Sequence, residues 1–150
     1  MRVLRRFRLV FNAVKAHFQQ VEREAGVGGA QLWALSIIGS GHGLGVTDLA
    51  RAMDVHQSTA SNLVRTLAER ELVVVAREGP DRRSVQLRLT PAGEQVLCSA
   101  PGPFTGVLPQ ALASLDASTL ERLDADLAAL TALLGTDRRT AKVPLGQTPA

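Results

Sequence analysis

The segment VTDLARAMDVHQSTASNLVRTLAERELV, Val46 to Val73, sets two short apolar repeats on either side of a break at Asp54 to His56. Leu49, Ala50 and Met53 share the inner face of the first repeat, and Ala60, Leu63, Val64 and Leu67 that of the second, all at helical spacing. Small Ala50 lets the two helices approach closely, and Val55 fills the angle between them. This is helix-turn-helix spacing, and whatever else the chain does must be built around it.

The period then changes. LVVVAR, Leu72 to Arg77, is a β-branched run, and Gly79, Pro80 and Asp81 mark a turn from about Glu78 to Arg83. Beyond it Val85, Leu87 and Leu89 point one way while Gln86 and Arg88 point the other, as in a half-buried strand. Two such strands form a hairpin with Arg82 and Arg83 at its exposed tip. A charged hairpin in isolation reads as a solvated turn; following two packed helices it completes a winged helix-turn-helix. Thr90 caps the next helix, with Pro91 at its first position and Glu94 complementing the dipole in the first turn.

The flanks are helical by pattern. Val3, Phe7, Val10, Val14, Phe18 and Val21 predict one long amphipathic helix ended by Gly26 to Gly29. A shorter helix runs from about Ala30 to Ile38 until GSGHGLG stops it. Those glycines are read as a connector, because no strand precedes them and no Gly-Lys-Ser/Thr follows. The prolines of SAPGPFTGVLP break the chain near Ala100. The last helix, about Ala117 to Leu134, carries Leu120, Leu123, Leu127, Leu130 and Leu134 in a narrow seam, suited to packing on the first helix or on a partner helix. From Thr136 onward the periodicity ends, and residues 136–150 are expected to form a disordered tail.

The expected fold is therefore mainly α with a small β-hairpin wing, a winged helix-turn-helix flanked by terminal helices. One hundred and fifty residues suit one core, and with 3% aromatics that core is aliphatic. No apolar run approaches the roughly 18 residues of a membrane span. The N-terminus begins with charge and then apolar residues but lacks a clean hydrophobic segment and a small-residue cleavage site, so a cytoplasmic location is expected. Cys98, alone, excludes an intramolecular disulfide and is expected to be a buried, inert thiol. His17, His42 and His56 have no partners at metal or catalytic spacing, and no cofactor motif is present. An enzyme is not indicated.

The outward face of the second short helix carries Gln57, Ser58, Ser61, Asn62 and Arg65 and no acid. Asn and Gln pair with adenine, Arg with guanine, and Ser with base edges or phosphate, whereas an ordinary solvated helix carries several glutamates and lysines. With a net charge of +3 carried by arginine, these residues point to duplex DNA.

DRRSVQLRLTPAGE and LARAMDVHQSTASNLVRTLAERELV resemble the MarR-type winged-helix transcription factors: Asp81, Arg83, Leu87, Leu89, Thr90 and Gly93 match the Asp-x-Arg wing, the Leu-x-Leu-Thr strand end and the following glycine. The resemblance implies that Arg83 enters the minor groove, that Asp81 orients its guanidinium, and that Arg82 lies near the phosphates. It further implies a homodimer interleaved through terminal helices (residues 1–28 and 95–135, with Val3, Phe7, Val10, Leu123, Leu127, Leu130 and Leu134 at the interface) around a DNA-binding region at residues 29–94. A pseudo-palindromic operator and release by a small molecule, in a pocket near Trp33 and Phe104, complete the expectation. Three departures from the pattern stand out. Asp54 and Glu71 occupy places where glycine is common, which suggests altered turn geometry, and His56 occupies the cap position of the second helix. A protein-binding winged helix and a thiol-based redox sensor of the same fold are the alternatives.

Overall fold

The structure, a computed structural model, describes residues 1–41, 43–77, 85–135, 141, 142 and 144. Its elements run α1 (Arg2–Ala25), α2 (Gly29–Ser40), α3 (Val46–Ala52), α4 (Gln57–Glu69), β1 (Val73–Arg77), β2 (Val85–Leu89), α5 (Pro91–Ser99), α6 (Val107–Ala113) and α7 (Ala117–Leu133). The mainly helical winged-helix architecture is as the periodicities require.

Helix α2 is apolar around most of its circumference, as a helix buried on several sides must be. It buries Ala30, Leu32, Ala34, Leu35 and Ile38 and packs against α1, α3, α4, α5 and β2. Around it close Leu49, Ala50 and Met53 of the α3 end, Val55, and Ala60, Leu63, Val64 and Leu67 of α4, every one buried. The strands pair antiparallel, Val73 with Leu89 and Val75 with Leu87. Leu87 is buried and its amide donates to the Leu44 carbonyl at 2.8 Å, which ties the hairpin to the connector after α2.

The end of the hairpin is fixed by Thr90. Its hydroxyl accepts from the Gly93 amide at 3.0 Å, capping α5, and donates to the Glu71 carbonyl at 2.7 Å. Gly93 must be glycine here, because a Cβ would overlap the Leu72 carbonyl oxygen. Helix α5 stops at Ser99, where the prolines were expected to break it.

Helix α7 starts at Asp116, whose carboxylate accepts from the Thr119 amide at 2.9 Å. The Ser118 hydroxyl, the Thr119 amide and the Thr119 hydroxyl together lower the Asp116 carboxyl from its ordinary value to about 2. Despite its leucine seam, α7 has no buried residue, and α1 buries only His17 and Val21.

Two expectations need correction. Cys98 is exposed, not buried: α5 turns the neighbouring Val96 and Leu97 toward the core, and Cys98 lies about 100° further round the helix. Asp54 and Glu71 do not alter the turns. Both adopt the left-handed conformation glycine would take, with φ of 50° and 57°. Each sits in a full Schellman ending. The Glu71 and Leu72 amides reach the Ala68 and Leu67 carbonyls at 2.9 Å each, and the Asp54 and Val55 amides reach Arg51 and Ala50 at 3.2 and 3.0 Å. The expected tail from Thr136 lies almost wholly outside the described residues.

Candidate nucleic-acid interface

Helix α4 divides cleanly. Its buried side locks it to α2 and α3, and Gln57, Ser58, Ser61, Asn62 and Arg65 are all exposed on the opposite arc. The chain enters α4 through His56, which offers no side-chain hydrogen bond to the first turn, as its identity suggested. The orphan amides of that turn and the helix dipole therefore remain available to an anion at the end where Gln57 and Ser58 stand. Within the face, the Arg65 guanidinium leans on the Asn62 side-chain oxygen at 3.4 Å, and the Thr66 hydroxyl folds back onto the Asn62 carbonyl at 3.0 Å. Arg65 thus keeps most of its donors unused. No acid stands between Gln57 and Arg65, so the field over this surface is set by donors and one cation.

The first strand of the wing packs against α4, and Arg77 opposite Val85 is the outermost pair of the described strands. The expectations for Asp81, Arg82 and Arg83 lie outside the described residues.

The terminal-helix residues expected at a subunit interface are largely uncovered in the single chain. Val3 is 69% exposed, Leu134 66%, and Val10, Leu127 and Leu130 are exposed as well, while Phe7 and Leu123 are half-buried. Among the described residues, helix α7 makes no substantial packing against α1 or any other element. The basic residues Arg2, Arg5, Arg6 and Arg8 stand on α1, and Glu121, Asp124 and Asp126 on α7, all exposed.

A pocket of about 110 Å³ opens between α1, α2 and the start of α6, walled by Val14, Phe18, Trp33, Val107 and Leu108 with His17 beside them. Trp33 lines it. Phe104 does not; it packs on the core instead. His17, only 8% exposed, is the one buried polar side chain among the described residues, and sequence reasoning gave it no role. Among those residues no group of three His, Cys, Asp or Glu could hold a metal ion, and no helix is long and apolar enough to cross a membrane.

Sequence reasoning also passed over Arg70. It follows α4 directly, and its guanidinium spans to the junction of α1 and α2. No local pattern announces a contact between residues 44 apart in sequence.

The model of the MarR family matches residues 25–84. Among solved structures, MepR of S. aureus in complex with DNA is 21% identical with a TM-score of 0.59, over 85% of this chain and 93% of its own. The multiple antibiotic-resistance repressor of Listeria monocytogenes is 21% identical at a TM-score of 0.53, over 90% of this chain and 93% of its own. BpsR of Bordetella bronchiseptica, whose DNA binding is regulated by 6-hydroxynicotinic acid, is 21% identical at 0.54, over 87% and 99%. At such identities the likeness is one of fold. No curated protein matches the sequence.

Proposed function

We propose that this chain, whose residues 25–84 match the model of the MarR family, is a dimeric DNA-binding transcriptional regulator, a repressor released by a small ligand. The observation that carries this reading is the acid-free polar face of α4, held outward by a fully buried opposite side and by left-handed helix endings that keep the helix-turn-helix angle despite Asp54 and Glu71. Gln57, Ser58, Ser61, Asn62 and Arg65 read base edges in the major groove, while Arg82 and Arg83 of the wing engage phosphate and minor groove, with Asp81 orienting Arg83.

Dimerisation uses the uncovered faces of α1 and α7, where opposite charges flank apolar seams. The ligand enters the pocket at Trp33. Because α1 and α2 form its walls, a molecule that binds one arrangement of these helices better than another shifts DNA affinity. The chemistry is binding rather than catalysis, and its place is the cytoplasm.

Selection of bound sequences from random duplex DNA tests the reading. The expected result is an inverted repeat with half-site centres about one helical turn, roughly 34 to 36 Å, apart. Binding without enrichment of any sequence would overturn it in favour of a protein-binding winged helix.

A further inference from the structure

Arg70 is the C-cap of α4. Its side chain leaves that helix and crosses to two others: Nη2 donates to the Gly26 carbonyl at 2.8 Å, and Nη1 to the Gln31 side-chain oxygen at 3.4 Å. Gly26 is the left-handed residue that ends α1, and Gln31 lies in the first turn of α2, where the same oxygen accepts from the Gly28 amide at 3.1 Å. One guanidinium therefore joins the end of α1, the start of α2 and the end of α4.

The chemistry suits the place. Carbonyls at a helix C-terminus carry partial negative charge, and a planar fork serves two acceptors at once. Glu69 and Glu71 flank Arg70 in sequence, yet neither forms an ion pair with it. Among the described residues, the other side-chain hydrogen bonds of α4 are local, from Arg65 and Thr66 to Asn62.

We infer that Arg70 is a positioning residue that fixes the angle of the recognition helix α4 against the terminal helix α1, and through it the separation of the two recognition helices in the dimer. This inference rests on the proposed DNA-binding dimer. Its leverage follows from length. The 13 residues of α4 span about 20 Å, with Arg70 at one end and Gln57 and Ser58 at the other. A tilt of about 5° at the Arg70 end moves the reading end by about 1.7 Å over that length. That exceeds the roughly 0.5 Å spread within which N–H···O distances count as hydrogen bonds. From the same joint α1 runs for 24 residues to its uncovered N-terminal half, so an error there is also an error in where the partner's reading head stands.

The test uses the full-length protein and the duplex recovered by selection, together with duplexes in which one base pair is inserted or removed between half-sites and a duplex carrying a single half-site. In Arg70→Gln, affinity for the correctly spaced duplex is expected to fall about tenfold, the effect of losing a charge-assisted hydrogen bond. Discrimination between spacings should shrink, with half-site affinity and dimer dissociation unchanged. Arg70→Lys, which retains one donor to Gly26, should restore part of the discrimination. Unchanged spacing discrimination in Arg70→Gln overturns the inference, whether or not the unfolding midpoint moves. An equal loss on every duplex, half-site included, also overturns it and makes Arg70 a phosphate contact. Failure of the wild type to select any sequence is a separate result, and it removes the DNA-binding reading itself.

Discussion

Helices α4 and α7 carry the same apolar spacing and meet opposite fates. In α4 the three-four repeat of Ala60, Leu63, Val64 and Leu67 is buried against α2 and α3; in α7 the longer repeat from Leu120 to Leu134 has no fully buried member, Leu120 and Leu123 being half-buried and Leu134 66% exposed. Periodicity shows that a face is made to be covered, but not by what. The winged-helix unit covers its inner faces, closes the C-terminal ends of α3 and α4 with hydrogen bonds and ties its hairpin back to the connector after α2. The terminal helices leave theirs open, and each leucine left exposed forgoes about 2 kcal/mol of burial. A 17-residue helix with no fully buried residue is marginal in water by itself.

The sharpest way to break this contrast is Leu127→Asp combined with Leu130→Asp. Two carboxylates buried in an apolar seam should weaken the dimer by at least about 100-fold and take operator binding with it. The helical content of the winged-helix unit should survive, because neither leucine is part of its core. Sedimentation at micromolar concentration and circular dichroism on the same sample check both halves. An intact dimer would move the interface off α7, and a collapsed fold would place α7 in the core after all.

The converse change belongs to the self-sufficient region. Gly93→Ala pushes a Cβ onto the Leu72 carbonyl, which already accepts from the Thr90 amide at 3.1 Å, and neither backbone can retreat without opening the hairpin. A loss of about 2 to 3 kcal/mol in urea unfolding is expected, with dimer affinity unchanged once folding is complete. A loss below about 0.5 kcal/mol, within the range of an ordinary surface substitution, would show that the joint between β2 and α5 is loose.

How much of this was legible in the sequence depended on whether the cause was local. The α3 and α4 faces, the Thr90 and Pro91 helix start and the break at Ala100 are set by residues within a turn or two of each other, and the chain reads them correctly. Helix α6 was missed because the prolines around it were read only as breakers. Pro109 stands in its first turn, where the missing amide has no helical partner to lose. Cys98 was placed inside by the usual habit of free thiols rather than by its position on α5. Arg70 and His17 draw their importance from contacts across the fold, for which no spacing rule exists. On the interface, sequence chemistry nominated one face of α4 and the structure places all five nominated residues together on it, while the wing tip at Asp81 to Arg83 lies beyond the described residues.

The turn residues Asp54 and Glu71 offer the finest test of what holds the self-sufficient region together. A non-glycine residue in the left-handed region costs about 1 to 2 kcal/mol, and an acid at a helix C-terminus opposes the dipole as well. Glu71 bears both costs, yet the Schellman bonds form and Leu72 stays buried one position beyond, with Leu67 buried at the far end of the same motif. Tertiary packing of Leu67 and Leu72 therefore imposes the conformation on a residue ill suited to it. Glu71→Gly removes the strain and the charge but enlarges the conformational freedom of the unfolded chain, an opposing effect of about 0.5 to 1 kcal/mol. The net expectation is a gain of about 1 kcal/mol in unfolding free energy with operator affinity unchanged. Glu71→Ala, which keeps a Cβ in the strained position and loses only the charge, should gain clearly less. Equal gains from the two substitutions would mean that the backbone strain at Glu71 is no larger than the opposing effect of glycine on the unfolded chain, about 0.5 to 1 kcal/mol.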